Sequence, residues 1–205
     1  MTDEGLAERS DEELVGMCQQ GSLTAFEELY RRYQRPILAY IYQITRNYEE
    51  SGCIAQDVFL KVFENVGRFD LERRFSTWFY TIARNASIDY LQSRRRRVMV
   101  SFTDIDRQPG DDVIVNTTEA STENVINNLS RTEANQALSE ALAELPQIYR
   151  EIVELIIFQS MSYEAASQIL GGVSLGTLRS RMFHALRQLR QLLSHYAGVD
   201  GAGLV

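Results

Sequence analysis

Residues 162–196, SYEAASQILGGVSLGTLRSRMFHALRQLRQLLSHY, predict two helices joined by a glycine turn. Ser162 is a suitable N-cap for a short helix that ends near Leu170, and Ser174 caps a last helix of about 20 residues. Gly171-Gly172-Val173 separates the two helices, because glycine readily adopts the backbone conformation that ends a helix. A short helix, a tight turn and a longer helix form the layout of DNA-binding helix-turn-helix motifs.

The last helix has one apolar face and one polar, basic face. We predict that the apolar face is buried, and it consists of Leu175, Leu178, Met182, Ala185, Leu186, Leu189, Leu192 and Leu193. The opposite face carries Thr177, Ser180, Phe183, His184, Arg187 and Gln191, with Arg179 and Arg190 beside it. Residues 174–197 contain four arginines and no acid, which favours contacts with bases near the start of the helix and with phosphates further along. Phe183 has two open interpretations: contact with a thymine methyl or a sugar, or a surface aromatic that could also pack against a neighbouring helix.

Elsewhere the apolar residues also follow a helical period, so we predict an all-α fold of two small helical domains joined by a flexible linker. Ser10-Asp11-Glu12-Glu13 is a capping-box signature, and Ser22 is an N-cap for a second helix. A third helix is expected over Ser51–Val66, and a fourth from Ser76 to about Gln92, leading into Arg94–Arg97. The predicted apolar faces of the second and third helices are Phe26, Leu29, Tyr30, Tyr33, Ile37, Tyr40, Ile41 and Ile44, and Ile54, Val58, Phe59, Val62 and Phe63.

A polar, acidic stretch that contains Pro109-Gly110 divides the chain. We therefore predict a domain over residues 1–97, a linker over 98–121, a second domain over 122–197 and a tail over 198–205. Helices are expected to resume between Thr122 and Ser130, where Ser130 and Glu133 form a competing capping box. Pro146 suits the first position of the next helix, which is expected to reach about Phe158.

Composition excludes several classes of protein. The chain has 205 residues, of which 44% are hydrophobic and 24% charged, so it is neither disordered throughout nor short of core material. It has no run of about 18 apolar residues and its start is acidic, so we expect a soluble, cytoplasmic protein without membrane insertion or a secretory signal. Cys18 and Cys53 match neither a disulfide framework nor a zinc spacing, so we expect no metal, no cofactor and two structural thiols rather than a redox switch.

The net charge of −7 conceals two basic segments. Arg73–Arg97 contains seven arginines and one acid, whereas residues 1–13 and 101–130 each contain six acids and one arginine. Such a distribution indicates separate contacts with polyanions. Lys61 is the only lysine, and guanidinium groups suit phosphate and guanine, although a genomic preference for arginine codons explains the bias equally well.

The predicted fourth helix combines rings, amides and cations. Trp78 lies at the edge of the apolar arc formed by Phe79, Ile82, Ala83, Ala86 and Tyr90. The same edge continues through Thr81, Asn85 and Gln92, next to Tyr80 and Arg84. Rings with cations and amides suit unpaired bases, for which stacking contributes about 1–3 kcal/mol per base. The alternative is that Trp78 belongs to the core and that Arg94–Arg97 is an ordinary solvated helix end.

Two motifs resemble those of bacterial sigma factors. Gln56-Asp57-Val58-Phe59-Leu60-Lys61 and Phe75-Ser76-Thr77-Trp78-Phe79-Tyr80-Thr81-Ile82-Ala83-Arg84-Asn85 resemble region 2, and Ser162-Tyr163-Glu164-Ala165-Ala166 with Leu175-Gly176-Thr177-Leu178-Arg179-Ser180-Arg181 resembles region 4. Without a region 3 between them, the chain is similar to the extracytoplasmic-function class over residues 10–97 and 122–196.

This resemblance implies a non-enzymatic initiation factor that binds the β and β′ subunits of core RNA polymerase and both double- and single-stranded promoter DNA. Polymerase binding would fall to Gln56, Asp57, Leu60 and Lys61. The −10 element would be captured by the loop Arg68–Phe75 and by Trp78, Tyr80, Arg84, Asn85, Arg94 and Arg95. The −35 element would meet Thr177, Arg179, Ser180, Phe183 and His184, with Arg181 and Arg187 on its phosphates.

The resemblance also implies an anti-sigma factor that covers both domains and an acidic linker that runs near the RNA exit path of the polymerase. Three positions depart from the family pattern. The turn at Gly171-Gly172 is one residue longer than usual, which bears on how the recognition helix sits. Cys53 stands in place of an acid, and His184 stands in place of Arg or Lys, which would make one DNA contact sensitive to pH.

Two other classes of protein are alternatives to a sigma factor. A one-component repressor is also all-α, but such a repressor usually carries its helix-turn-helix near the N-terminus, with a ligand core behind it. An enzyme is disfavoured because both histidines, His184 and His195, lie in the last helix and the chain has no nucleotide-binding glycine pattern.

Overall fold

The computed structural model describes residues 5–103 and 129–196, and every regular element in these ranges is helical, which confirms the all-α prediction there. The chain divides into two compact units, Met1–Ala120 and Ser121–Val205. The first contains α1 (Asp11–Gln19), α2 (Leu23–Thr45), α3 (Tyr48–Asn65), a 3-10 turn (Val66–Arg68) and α4 (Phe75–Thr103). The second contains α5 (Leu129–Glu144), α6 (Gln147–Val153), a π-helical turn (Glu154–Phe158), α7 (Tyr163–Ile169) and α8 (Leu175–Tyr196). Most of the predicted linker, the helix start near Thr122 and the predicted tail over 198–205 lie outside the described residues.

Side-chain caps set the starts of the first three helices. The Ser10 hydroxyl accepts a hydrogen bond from the Glu13 backbone N–H, and the Glu13 carboxylate accepts one from the Ser10 N–H, so the predicted capping box is confirmed. Ser22 caps α2, also as predicted. The third helix begins at Tyr48, earlier than predicted, because the Asn47 side chain provides the N-cap.

The fourth helix is longer than predicted. It begins at Phe75 and continues to Thr103, whereas the sequence predicts that it ends near Gln92. The stretch between these ends has no glycine and no proline, so nothing in it stops the backbone hydrogen-bond ladder. The first residues of the predicted linker, 98–103, are therefore helical.

An aromatic cluster forms the core between α2, α3 and α4. The ring of Tyr33 lies 5.5 Å from that of Phe75 and 5.0 Å from that of Phe79, measured between centroids. The ring of Phe59, from α3, lies 5.1 Å from that of Phe79. These edge-to-face pairs each add about 0.5–1.5 kcal/mol to the hydrophobic gain from burying the rings.

Two rings that were predicted to be buried are exposed instead. Tyr30 is 45% exposed and Phe63 is 46% exposed, so their assignment to the core is wrong. Each lies at the rim of the α2–α3 contact and packs edge-on or tilted against one partner, Phe59 and Phe26 respectively. The neighbouring helices bury only the middle of each apolar face of α2 and α3. The helical period in the sequence does not show how far this burial extends.

A charged network fixes α1 against α2. The buried carboxylate of Glu28 accepts hydrogen bonds of 2.8 Å from Arg31 and from Arg32. The Arg32 guanidinium also donates to Asp11 of α1 at 2.7 Å, and the Tyr33 hydroxyl donates to the same carboxylate. Burial and this hydrogen bond raise the pKa of Tyr33, so its hydroxyl stays protonated and remains a donor.

The C-terminal unit packs α5, α6 and α7 against α8. Its buried apolar side chains are Ala141, Leu142, Leu145, Ile152, Val153, Leu155, Ala166, Ile169, Leu170, Leu178, Met182, Ala185 and Leu189. The predicted apolar face of α8 is confirmed at its centre. Leu186 is 46% exposed, however, and its prediction as a core residue is wrong because it lies at the margin of the buried stripe.

Two local features of this unit differ from the sequence analysis. Pro146 occupies the N-cap position of α6 rather than its first helical position, and Ser130 lies inside α5 rather than capping it. The helix after Pro146 reaches Phe158 as predicted, but through a π-helical turn. In that turn the Gln159 N–H donates to the carbonyl oxygen of Glu154 at 2.9 Å, and the Gln159 side chain donates to the Glu154 carboxylate at 3.0 Å.

The buried carboxyl of Glu154 leads to a prediction about pH. Desolvation raises the pKa of this carboxyl, and this effect exceeds the decrease in pKa that the hydrogen bond from Gln159 causes. The folded chain therefore binds more protons at this site than the unfolded chain does, so stability falls as pH rises from about 4.3, the usual pKa of glutamate, through the raised value. Glu154→Gln retains the acceptor oxygen and should raise the melting temperature of the C-terminal unit at about pH 8 but not at about pH 4.

Scanning calorimetry of the full chain at both pH values measures this difference. The matched control is Glu140→Gln, which replaces an exposed carboxylate on α5 that also accepts a hydrogen bond from a glutamine side chain. Its melting temperature should differ from that of the wild type by the same amount at both pH values. The prediction for Glu154→Gln would be contradicted if its difference from the wild type were also the same at both pH values.

Candidate nucleic-acid interface

One exposed face of α3 brings together the four residues predicted to bind a protein partner. Gln56, Asp57, Leu60 and Lys61 are all exposed, and their spacing places them on adjacent turns of one side of the helix. Leu60 is 56% exposed, although it is surrounded by polar neighbours. A single exposed apolar side chain is common on protein surfaces, so the exposure of Leu60 does not by itself identify a contact surface.

The N-terminal unit presents a ring and an amide along one edge of α4. Trp78 is half-buried, with its ring 4.9 Å from that of Phe69 and 5.9 Å from that of Phe75. It therefore packs on the loop before α4 and still keeps part of its surface accessible, which is compatible with either interpretation of this residue. Asn85 is exposed on the same edge, about two turns or 10 Å further along the helix.

The cations of this region differ in exposure. Arg68 and Arg95 are exposed, whereas Arg84 and Arg94 are half-buried. Arg73 and Arg74, which belong to the predicted capture loop Arg68–Phe75, are exposed as well.

Two predicted −10 contacts are core residues instead. Phe75 and Tyr80 are each 1% exposed, so neither can contact DNA in this structure. The ring of Tyr80 lies 5.1 Å from that of Tyr40, and the ring of Phe75 lies 5.5 Å from that of Tyr33, both in α2. The prediction is corrected because these rings share the inner face of α4, opposite the edge that carries Asn85.

Helix α1 contributes two polar side chains to the loop that precedes α4, and sequence reasoning missed both. The Gln19 side-chain amide donates to the carbonyl oxygens of Val66 and Phe69, at 3.1 and 2.8 Å. The Glu12 carboxylate accepts a hydrogen bond of 3.1 Å from the N–H of Phe75. The partners are 47 or more positions apart in the chain, and no local pattern in the sequence signals such contacts.

The turn between α7 and α8 depends on both glycines. Gly171 and Gly172 have φ values of 83° and 81°, a region that other residues rarely adopt. The Gly172 N–H donates to the carbonyl oxygen of Ser167 at 2.7 Å, and the Ser167 hydroxyl donates to that of Val173 at 2.7 Å. Two left-handed residues complete the turn, and Ser174 then caps α8 as predicted.

The outer face of α8 displays nearly all the residues predicted to contact duplex DNA. Thr177, Arg179, Ser180, Phe183, His184 and Arg187 are exposed, and Arg181 is half-buried. Phe183 is 64% exposed, and its ring lies 5.6 Å edge-on from that of His184. Burial against a neighbouring helix within the unit is therefore excluded for this ring.

One ring contact and one shallow cleft involve the cations of this face. The Arg179 guanidinium lies over the ring of Tyr163 in α7, 5.8 Å from its centroid. Further along, a shallow cleft is lined by Tyr149, His184, Arg187, Gln188 and Gln191. This cleft offers cationic and amide donors of the kind that hold a phosphate backbone.

The described residues contain no cluster of three or more histidine, cysteine or acidic side chains that could hold a metal ion. Both cysteines are free thiols, Cys18 half-buried and Cys53 exposed. Desolvation raises the pKa of Cys18 to about 11, which keeps this thiol protonated and unreactive at neutral pH. Within the same described part, none of the helices has the length and apolar character needed to cross a membrane.

Known families match both units. The family model described as Sigma-70 region 2 matches residues 29–97, and the one described as Sigma-70, region 4 matches residues 135–189. These two matches, on a fold of two helical units, define a DNA-binding transcription factor. The chain belongs to the sigma-70 family, as an extracytoplasmic-function RNA polymerase sigma factor.

Similar proteins span most of the chain. RNA polymerase sigma factor YlaC of Bacillus subtilis is 32% identical over 167 residues, covering 82% of this chain and 91% of that protein. RNA polymerase sigma-H factor of Pseudomonas aeruginosa is 29% identical over 191 residues, covering 92% and 96%. Members of this family are regulators of transcription that act in promoter recognition, and the matches support this class and not a one-component repressor.

Two solved structures share the fold. One is CnrH in complex with the cytosolic domain of CnrY, with a TM-score of 0.60 and 20% identity, covering 91% of this chain and 99% of that chain. The other is the sigma factor RpoE in complex with the anti-sigma factor NepR from Bartonella quintana, with a TM-score of 0.61 and 21% identity, covering 84% and 98%.

The glycine turn leads to a prediction about stability. Gly171→Ala and Gly172→Ala should each destabilise the C-terminal unit by about 1–2 kcal/mol, because a Cβ at positive φ is strained. Space is not the limit, since no neighbouring atom lies within 4 Å of a Cβ built at either position. Gly176→Ala, equally unobstructed but in the first turn of α8, should not destabilise the unit. Chemical denaturation of the three variants measures the effect, and equal stability for all three would contradict it.

Proposed function

We propose that this sigma factor reads promoters through two separate faces, one in each unit. The observation that carries the proposal is the outer face of α8, where an exposed aromatic ring, a hydroxyl and arginines lie together and no acid intervenes. Sequence-specific duplex binding uses this set of groups, with polar and apolar contacts to base edges and cations on phosphates. Run-off transcription with core polymerase on a promoter library tests it.

On the −35 element, Arg179, Ser180 and Phe183 are proposed to meet base edges, together with Thr177 and His184. Arg179 is directed by its contact with Tyr163, and Phe183 presents an apolar surface that fits a thymine methyl. Arg187, in the cleft further along α8, and Arg181 are proposed to hold phosphates.

On the −10 element, Trp78 and Asn85 are proposed to hold unpaired bases and so stabilise strand opening. The indole offers a partly exposed ring for stacking, and the exposed amide offers donors and acceptors to a base edge. Arg68, Arg84, Arg94 and Arg95 are proposed to hold the strand backbone, and Arg73 and Arg74 join them. Phe75 and Tyr80 are left out because they are buried.

The exposed face of α3 is proposed to dock on the β′ subunit of core polymerase through Gln56, Asp57, Leu60 and Lys61. The β subunit and an anti-sigma factor complete the proposed partners, and a Bartonella relative is known in complex with such a factor. We place the protein in the cytoplasm, where the transcription machinery operates, and assign it no enzymatic activity and no cofactor. The domains proposed are residues 1–97 and 122–197.

Loss of an arginine from α8 should weaken −35-dependent initiation. Arg179→Ala removes a base contact, so we expect a loss of about 1–3 kcal/mol in promoter binding by the holoenzyme, limited to promoters with an intact −35 element. Arg187→Ala should weaken binding to all sequences and reduce the salt dependence. Fluorescence anisotropy with intact and scrambled −35 elements separates the two effects.

The control for lost positive charge is Arg35→Ala, an exposed arginine of α2 in the other unit. It should leave the preference for the −35 element unchanged. If Arg179→Ala bound intact and scrambled elements with the wild-type ratio, the assignment of a base contact would be wrong.

Asn85→Ala should impair open-complex formation and leave polymerase binding intact. The side chain is exposed, so its removal costs the fold little, but an unpaired base loses its hydrogen-bonding partner. Permanganate footprinting of the melted region measures opening, and titration with core polymerase measures binding. Gln136→Ala, an exposed amide on α5, is the control and should leave both unchanged. Lost polymerase binding in Asn85→Ala would show that the residue is structural.

A further inference from the structure

Helix α1 lies outside the segment that matches the region 2 family model, yet it touches the loop before α4 at three places. The contacting positions are Glu12, Gly16 and Gln19, which are four and three residues apart and therefore share one face of the helix. The loop in question covers residues 66–75, whose second half carries the exposed Arg73 and Arg74. A helix that is fixed elsewhere and touches this loop can set its shape.

Gln19 holds the start of the loop. Its amide donates to the carbonyl oxygens of Val66 and Phe69, so both N–H groups of one side chain are used across a single 3-10 turn. The ring of the buried Phe69 in turn packs against that of Trp78, with the two centroids 4.9 Å apart. The position of the indole therefore depends on a bond made by α1.

Glu12 holds the end of the loop. Its carboxylate accepts the N–H of Phe75, the first residue of α4, so the cap of α4 is supplied from 63 positions earlier in the chain. A negative group at this end also interacts favourably with the helix dipole. The first turn of α4, which carries Trp78, is thereby aligned with α1.

Gly16 lies between the two polar contacts. A Cβ built on this glycine would stand 3.6 Å from Cδ1 of Leu71, so the middle of the loop rests on α1. The other side of α1 is anchored in the core through Leu14 and Val15, both fully buried. Asp11 adds the hydrogen bonds from Arg32 and Tyr33, so α1 cannot move without disturbing α2.

We propose that α1 is a positioning element for base capture, in which Glu12 and Gln19 set the shape of the loop over residues 66–75 and the placement of Trp78. These two are positioning residues, since they act through the loop and do not touch DNA. The proposal rests on the proposed function of Trp78 and Asn85 at the −10 element. It assigns part of the −10 affinity to a helix that precedes the matched region.

The test uses the full chain bound to core polymerase and a fluorescent single-stranded −10 oligonucleotide. Gln19→Ala loses two hydrogen bonds and should lower the affinity for this strand about tenfold, while the affinity for core polymerase stays at the wild-type value. Amide hydrogen exchange of residues 66–75 should accelerate in the same variant. The matched control is Gln20→Ala, an exposed amide at the next position, which should change none of the three quantities.

A second pair of variants guards against simple loss of fold. Glu12→Ala should reduce strand affinity, and Glu12→Gln, which keeps an acceptor oxygen for the Phe75 N–H, should restore most of it. A general loss of stability would lower polymerase binding and melting temperature in parallel with strand binding, and that outcome overturns the proposal. Wild-type strand affinity in both Gln19→Ala and Glu12→Ala also overturns it.

Asn85→Ala separates this proposal from the function on which it rests. If Asn85→Ala loses strand affinity and the α1 variants do not, only the role of α1 is rejected. If Asn85→Ala and Trp78→Ala both bind the strand as tightly as wild type, the −10 assignment itself fails, and the role of α1 falls with it.

Discussion

Burial of one face of α4 against the rings of α2 is the constraint on which the N-terminal unit depends. Phe75, Phe79 and Tyr80 are turned inward by Tyr33 and Tyr40, and each buried ring removes about 150–250 Å² from water. Because a helix is rigid, fixing this face also fixes the opposite one. The ring contacts of Phe75, Phe79 and Tyr80 therefore also position the half-buried Trp78 and the exposed Asn85, although Asn85 makes none of these contacts. The proposed capture of unpaired bases is thus a consequence of the packing of α4.

In the C-terminal unit, burial of aliphatic side chains on one face of α8 likewise determines which face is exposed. Leu178, Met182, Ala185 and Leu189 are buried by α5, α6 and α7, so the opposite face of α8 is exposed. The two glycines of the turn determine how α8 leaves α7. Their positive φ angles let the turn between the short helix and the long helix close without strain.

Sequence reasoning was most accurate where the signal is local. A cap depends on residues three positions apart, so Ser10, Ser22, Ser162 and Ser174 could each be identified from their neighbours. It failed where a distant segment decides. The family resemblance implied −10 contacts for Phe75 and Tyr80, but their packing against the rings of α2 shows that these two residues point inward. Leu186, Tyr30 and Phe63 were wrongly assigned to the core for the same reason. The apolar character of a residue does not show how much of the helix surface its neighbours cover.

The amino-acid sequence by itself determined the all-helical character, the caps at Ser10, Ser22, Ser162 and Ser174, the division into two units and the polar face of the last helix, because capping and helical periodicity are signals carried within one segment of the chain. The tertiary structure alone decided which rings are buried and which remain accessible. It also decided that α1 reaches the loop before α4 through Glu12 and Gln19, contacts that join residues 47 or more positions apart. Such contacts form only when separate helices pack, and packing depends on every partner at once rather than on any one segment.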